Sequence, residues 1–156
     1  MELVTYRGEQ ISKQEAYALW KIEEQINEVP EFIIEGHQVV RLNLANASLH
    51  DLKLLTPLTH LKKLHLRYTA VDDLSPLTPL TNLQELHLGG TSVSDISPLR
   101  ELKQLRYLGL RYTYVSDVAP LKDLPHLELV DLVGTMVPKR DAKLDELRSK
   151  GVEVII

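Results

Sequence analysis

The sequence predicts an α/β solenoid: short parallel strands lie side by side in a concave sheet, with a helical cap at one end and a helix-strand cap at the other. Two observations predict it. Leu61, Leu83, Leu105 and Leu127 recur with a step of 22 residues, and Val39 opens one more copy upstream. Within each copy the same grid returns: Leu64, Leu86, Leu108 and Val130, then Leu66, Leu88, Leu110 and Leu132 two residues further on. Thr69, Thr91, Thr113 and Thr135 follow, then Val71, Val93, Val115 and Val137. A unit of this length cannot bury its apolar edge alone and must stack on its neighbours.

Composition agrees with that architecture. Of the 156 residues, 44% are hydrophobic but only 5% aromatic, so the core is built from stacked aliphatic side chains. Each contributes roughly 1.5–3 kcal/mol when fully removed from water. The net charge is −4, so the chain as a whole offers no broad basic surface, and neither nucleic acid nor a membrane is an expected partner. There are no cysteines, which excludes disulfide frameworks, thiolate metal sites and cysteine nucleophiles. Met1 to Gln10 lacks the apolar run of a signal peptide, and no stretch has the length of a membrane span, so a cytoplasmic protein is expected.

Residues 1–38 read as the N-terminal cap. Leu3, Val4 and Tyr6 suit a strand before a turn at Arg7-Gly8. Ser12 to Glu15 form a capping box, and a helix follows to about Asn27, stopped by Pro30. Ala16, Leu19, Trp20, Ile22 and Ile26 supply its apolar side, and Trp20 with Phe32 is expected to cover the edge of the first repeat.

Residues 39–138 read as the repeats. Each opens with a strand whose two leucines point inward while their neighbours point outward. Each returns through a segment such as Asp95-Ile96-Ser97-Pro98-Leu99, where proline starts a single 3₁₀ or α turn and serine can cap it. Asp51, Asp73, Asp95 and Asp117 stand just before those turns, which favours capping over a row of calcium ligands. Residues 139–156 read as the C-terminal cap. Here Pro138 opens a helix with Leu144 and Leu147 on its apolar stripe, Lys150-Gly151 end it, and the last strand places Val152 and Val154 inward by the count of 22. The expectation is a single, complete domain, monomeric in solution.

The pattern Leu83-x-x-Leu86-x-Leu88-x-x-Thr91-x-Val93-x-Asp95-Ile96-Ser97-Pro98-Leu99-x-x-Leu102 resembles the 22-residue leucine-rich repeat of bacterial proteins and protein-phosphatase regulators, the class also seen in internalins. The resemblance runs from Val39 to Val137, about two thirds of the chain. It implies a leucine-rich repeat solenoid that binds a protein partner on its concave sheet. The start of this chain shows no export signal, so a cell-surface role is not expected.

The outward strand positions are the ones the repeat leaves free to vary. They carry six basic groups, Arg41, Lys62, Lys63, Arg67, Arg106 and Arg111, against Glu85, Glu128 and Asp131. Arg67-Tyr68 and Arg111-Tyr112 stand two strands apart, about 10 Å, on either side of Gly89-Gly90, a gap that a partner's side chain can enter. Arginine and tyrosine are the commonest interface anchors, because each buries large area and keeps a polar tip. Arg67, Tyr68, Tyr107, Arg111 and Tyr112 are therefore the candidate anchors for a polar or acidic protein segment, with His65 and His87 as polar contacts and Tyr114 extending the cluster. Duplication of Arg-Tyr without selection for binding is the plainer reading.

An anion-binding module for a phosphorylated ligand or nucleic-acid strand is the alternative function, and a metal-dependent hydrolase a more remote one. Two adjacent histidines fall short of a metal's ligand set, with Glu85 nearby and Asp131 two strands off, so no metal or other cofactor is expected. No nucleophile elbow or phosphate-binding glycine loop occurs, so no enzyme is expected. The threonines suit hydrogen bonds to the backbone at the turns.

Overall fold

The computed structural model describes residues 1–156. An N-terminal hairpin, β1 (Leu3–Tyr6) and β2 (Glu9–Ser12), leads into helix α1 (Lys13–Ile26). A second hairpin follows, β3 (Glu31–Glu35) and β4 (Gln38–Asn43). Strands β5 (Lys63–His65), β6 (Glu85–His87), β7 (Tyr107–Gly109) and β8 (Leu129–Asp131) come next, then helix α2 (Ala142–Ser149) and β9 (Glu153–Ile155). The main sheet has seven strands in the order β3-β4-β5-β6-β7-β8-β9, parallel except for the antiparallel β3-β4 pair.

The register is that of the repeat. Leu42 stands beside Leu64, Leu64 beside Leu86, Leu86 beside Leu108 and Leu108 beside Val130. The inward leucines of these strands are all essentially inaccessible to water, and one hydrophobic core runs from Ile11 to Val152. Returns are 3₁₀ turns at Leu52–Leu55, Ser75–Leu77, Ser97–Glu101 and Ala119–Asp123. The aspartates cap them: Asp51, Asp73, Asp95 and Asp117 each accept the amide N–H two residues on, at 2.8–2.9 Å. Serine does not cap here. Ser75 and Ser97 instead donate their hydroxyls back to Asp73 and Asp95. The threonine hydroxyls donate to the carbonyl three residues earlier, Thr91 to Leu88 at 2.6 Å for example, which fixes the corner after each strand.

Both caps differ in detail from the sequence expectation. Half of the capping box forms: Glu15 N–H donates to Ser12 Oγ, but the Ser12 N–H donates to His37 O and not to Glu15; α1 closes at Asn27 as expected, though the stop is Asn27 itself and not Pro30. Asn27 takes the left-handed conformation (φ 57°), which asparagine tolerates, and its N–H closes the last turn on Glu23. Trp20 does not cover the first repeat: it is 57% exposed and packs edge-on against Tyr17. The buried stripe runs through Ala16, Ala18, Leu19 and Ile22, and Trp20 lies one turn on from Tyr17 on the outer side. Phe32 does face the core, beside Tyr6.

Hairpin β3-β4 was not foreseen. Phe32 and Ile34 alternate with exposed neighbours, and Gly36 and His37 both have positive φ, as a tight hairpin turn of right-handed twist requires. At the other end Asp141, not Pro138, caps the helix, by accepting the Lys143 N–H. The last coil is also longer. Val154, not Val152, stands beside Val130, so this step is 24 residues, the longer helical return displacing the count by two.

Candidate functional site

The site is built from one corner of the repeat. In each copy the residue after the strand's last outward position takes the left-handed conformation: Asn46 (φ 63°), Tyr68 (57°), Gly90 (71°), Tyr112 (56°) and Gly134 (73°). Glycine and asparagine enter that region readily, whereas an aromatic residue there is strained. The residues therefore alternate tyrosine and glycine for a reason. The Tyr68 ring lies across Gly90 of the next copy, and the Tyr112 ring lies across Gly134. Both tyrosines remain about 60% exposed on their outer faces.

Arg67, Tyr68, Gly89, Arg111, Tyr112 and Asp131 line one shallow depression of about 380 Å³. The two Arg-Tyr pairs thus meet around a common space, with Gly89 as its floor. Gly90 does not form an open gap, because Tyr68 covers it. Tyr114 is exposed but lies outside the depression.

Electrostatics change the expected positive strip. Lys63 pairs with Glu85 at 2.6 Å, Arg106 with Glu128 at 2.6 Å and Arg111 with Asp131 at 2.7 Å, and Lys62 reaches Glu35 at 2.7 Å. Those pairs use Glu85, Glu128 and Asp131 and leave Arg41 and Arg67 without an ion pair, while Glu31 at the β3 end accepts the Asn43 amide instead. Asp131 is buried, accepts the Val133 N–H on its other oxygen, and so orients Arg111 from below.

Beside the depression, His65 and His87 stack with ring centroids 4.1 Å apart, and Tyr107 stacks on His87 at 4.7 Å. Tyr107 bends into the space that a side chain at Gly109 would fill. His87 is buried, and its Nε2 lies 2.7 Å from Glu85 Oε1. Burial pushes the pKa values of both imidazoles down, with His87 adding to the effect at His65, and keeps the rings neutral. Burial alone would raise the Glu85 carboxyl, but hydrogen bonds from Lys63 and His87 outweigh it and hold the pKa at about 2.

The structure places the seven candidate residues on one face and in different settings. His87 is buried and Tyr107 half-buried against it, and Glu85 and Asp131, weighed in the sequence only as metal ligands, pair with Lys63 and Arg111 to organise the face. A larger depression, about 450 Å³, lies between the N-terminal cap and His60. Its buried Glu15 is structural: one oxygen accepts the Val39 N–H and the other the Ser12 hydroxyl.

A family model described as leucine-rich repeats, in two copies, matches residues 81–122. A comparison with curated proteins finds no match. Among solved structures, internalin C2 from Listeria monocytogenes superposes with a TM-score of 0.68 at 21% identity, over 88% of this chain and 62% of that one. A second Listeria monocytogenes internalin gives 0.67 at 26% identity, over 86% and 40%. The ectodomain of the receptor kinase SOBIR1 from Arabidopsis thaliana gives 0.67 at 20% identity, over 93% of both chains. The chain therefore spans less than two thirds of either internalin. Leucine-rich repeat domains generally mediate protein–protein interaction and are typically non-catalytic. No helix is long and apolar enough to cross a membrane. With its repeat matched in sequence over residues 81–122 and its coil matched in space, the chain has the leucine-rich repeat fold and is similar to the internalins in it.

Proposed function

We propose that the chain is a non-catalytic interaction module that seats a polar or acidic segment of a protein partner on its concave sheet. The single observation that carries this reading is the depression shared by Arg67, Tyr68, Arg111 and Tyr112. Two tyrosines are held there in a strained backbone conformation, at a corner where other copies use glycine or asparagine. Such strain costs of order 1–3 kcal/mol per residue and is typical of functional positions. Arg67 has no carboxylate partner and offers a free guanidinium, while Asp131 holds Arg111 in place without covering it. A partner carboxylate set between these two arginines makes charge-assisted hydrogen bonds, flanked by rings that bury area at little entropic cost.

The unit that does this comprises a cap over residues 1–38, repeats over 39–138 and a cap over 139–156, acting as a monomer in the cytoplasm. Pairing of the other basic groups gives less support to the alternative, an anion-binding module for a phosphorylated ligand or nucleic-acid strand. The test is capture of partners by the wild-type chain and by the variant Arg67→Ala/Tyr68→Gly. That variant breaks no ion pair and fills the left-handed corner with glycine, so a loss of capture reports on the surface and not on folding.

A further inference from the structure

We propose that His65, His87 and Glu85 form a binding site for a transition-metal dication of the zinc, nickel or copper type on the concave face. Their donor atoms all lie within 4.8 Å of one another. The two histidines occupy the same position in adjacent strands, so the repeat itself sets their spacing. Glu85 lies beside His87 in space because residues two apart on a strand share a face.

The bonding each side chain already makes is compatible with a ligand role. Glu85 divides its oxygens: Oε2 takes Lys63 at 2.6 Å, and Oε1 faces His87 Nε2 at 2.7 Å. The second oxygen can turn to an ion while the first keeps its lysine. His87 is nine-tenths buried, and its Nδ1 has no hydrogen-bond partner. The ring proton can therefore move from Nε2 to Nδ1 without displacing a donor, which frees the Nε2 lone pair for the metal. His65 is only half-buried and can adjust its ring about its side-chain torsions.

A tetrahedral ion at about 2.0–2.1 Å from each donor holds its ligands about 3.4 Å apart. The His87-Glu85 contact must then open by about 0.7 Å, as happens when an ion replaces a shared proton. The remaining position points to solvent and takes water. Imidazole donors select zinc, nickel and copper over magnesium or calcium. The neighbouring Lys63, Arg67 and Arg41 charges oppose a dication, so binding is moderate and reversible.

The test is calorimetric titration of the full chain with zinc, nickel and copper chlorides near neutral pH, with the histidine ring signals followed by NMR. One ion should bind per chain, shifting or broadening the His65 and His87 signals and leaving those of His50 and His126 unchanged. His65→Gln should weaken binding roughly tenfold or more, as loss of a ligand does, and Glu85→Gln should weaken it too. Both residues are partly exposed, so these variants keep the fold; a thermal melt verifies that. Lys63→Met should tighten binding, because it removes an opposing charge and releases a carboxylate oxygen. Absence of saturable binding, or binding that His65→Gln leaves intact, would overturn the site.

Discussion

The ring of Tyr68 lies so closely across Gly90 that a β-carbon on the glycine would sit 2.5 Å from Tyr68 Cδ1. The two residues hold the same place in consecutive copies, and each makes the other possible. Gly90 also sits at φ 71°, so Gly90→Ala meets both a steric clash and backbone strain. It should destabilise the fold by about 1–3 kcal/mol in urea unfolding. Adding Tyr68→Gly should recover the clash component, leaving only the strain of alanine at a left-handed position. Equal costs in the two backgrounds would show that the ring does not occupy that space in solution.

Tyr68→Gly alone separates stability from function. It removes a ring contact and relieves strain in the same step, so stability should stay within about 1 kcal/mol of wild type. Affinity for a partner should fall. A large loss of stability would make Tyr68 a structural residue.

Leu86 sits at the centre of the leucine ladder, between Leu64 and Leu108, with no exposed surface. Leu86→Ala should cost about 2–5 kcal/mol, since neither neighbour can collapse into the space without leaving its own strand. Thr91→Val tests the corner more gently. It keeps the shape and removes the hydroxyl that donates to Leu88, for a cost of about 0.5–1.5 kcal/mol.

The histidine pair and Glu85 both make the fold less stable as pH falls, in two separate windows. Because both imidazoles have folded pKa values below the ordinary 6.5, the fold favours their neutral forms. Their contribution is complete above pH 6.5 and is lost as pH falls through the lowered values. Glu85 titrates near 2 in the fold against an ordinary 4.5, so its contribution is present above 4.5 and is lost as pH falls toward 2. An NMR titration should show His65 and His87 taking up their protons below pH 6.5, and Glu85→Gln should lose less stability than wild type between pH 4.5 and 2. Titration of either ring above 6.5 would contradict the burial argument.

Most of the coil was legible because its signal is periodic. Leu64, Leu86 and Leu108 repeat the same environment, so one correct reading of the step places all of them. The caps are not periodic. Trp20 looks like a core residue by type, and only the orientation of α1 against the N-terminal hairpin and the first return turn shows that Leu19 and Ile22 take that place. The hairpin at β3 left a signal in the alternation around Phe32 and in Gly36, but its five residues are outweighed by the stronger repeat beside them.

At the candidate site the sequence shows which residues face outward but not which of them pair. Arg111 and Arg67 are equivalent in sequence. Only the structure shows that Asp131 holds Arg111 while Arg67 is free. The positive φ at Tyr68 was readable in principle, since glycine fills the same place in Gly90 and Gly134.

Docking through the depression between the two Arg-Tyr pairs is tested most directly by the affinity of a captured partner for wild type and for Arg67→Ala/Tyr68→Gly, measured by calorimetry. Arg111 is the poorer probe, because its removal leaves buried Asp131 without its cation. The account predicts binding weaker by roughly tenfold or more, as for loss of interface anchors, with stability within about 1 kcal/mol of wild type. Equal affinity of the two proteins would contradict it.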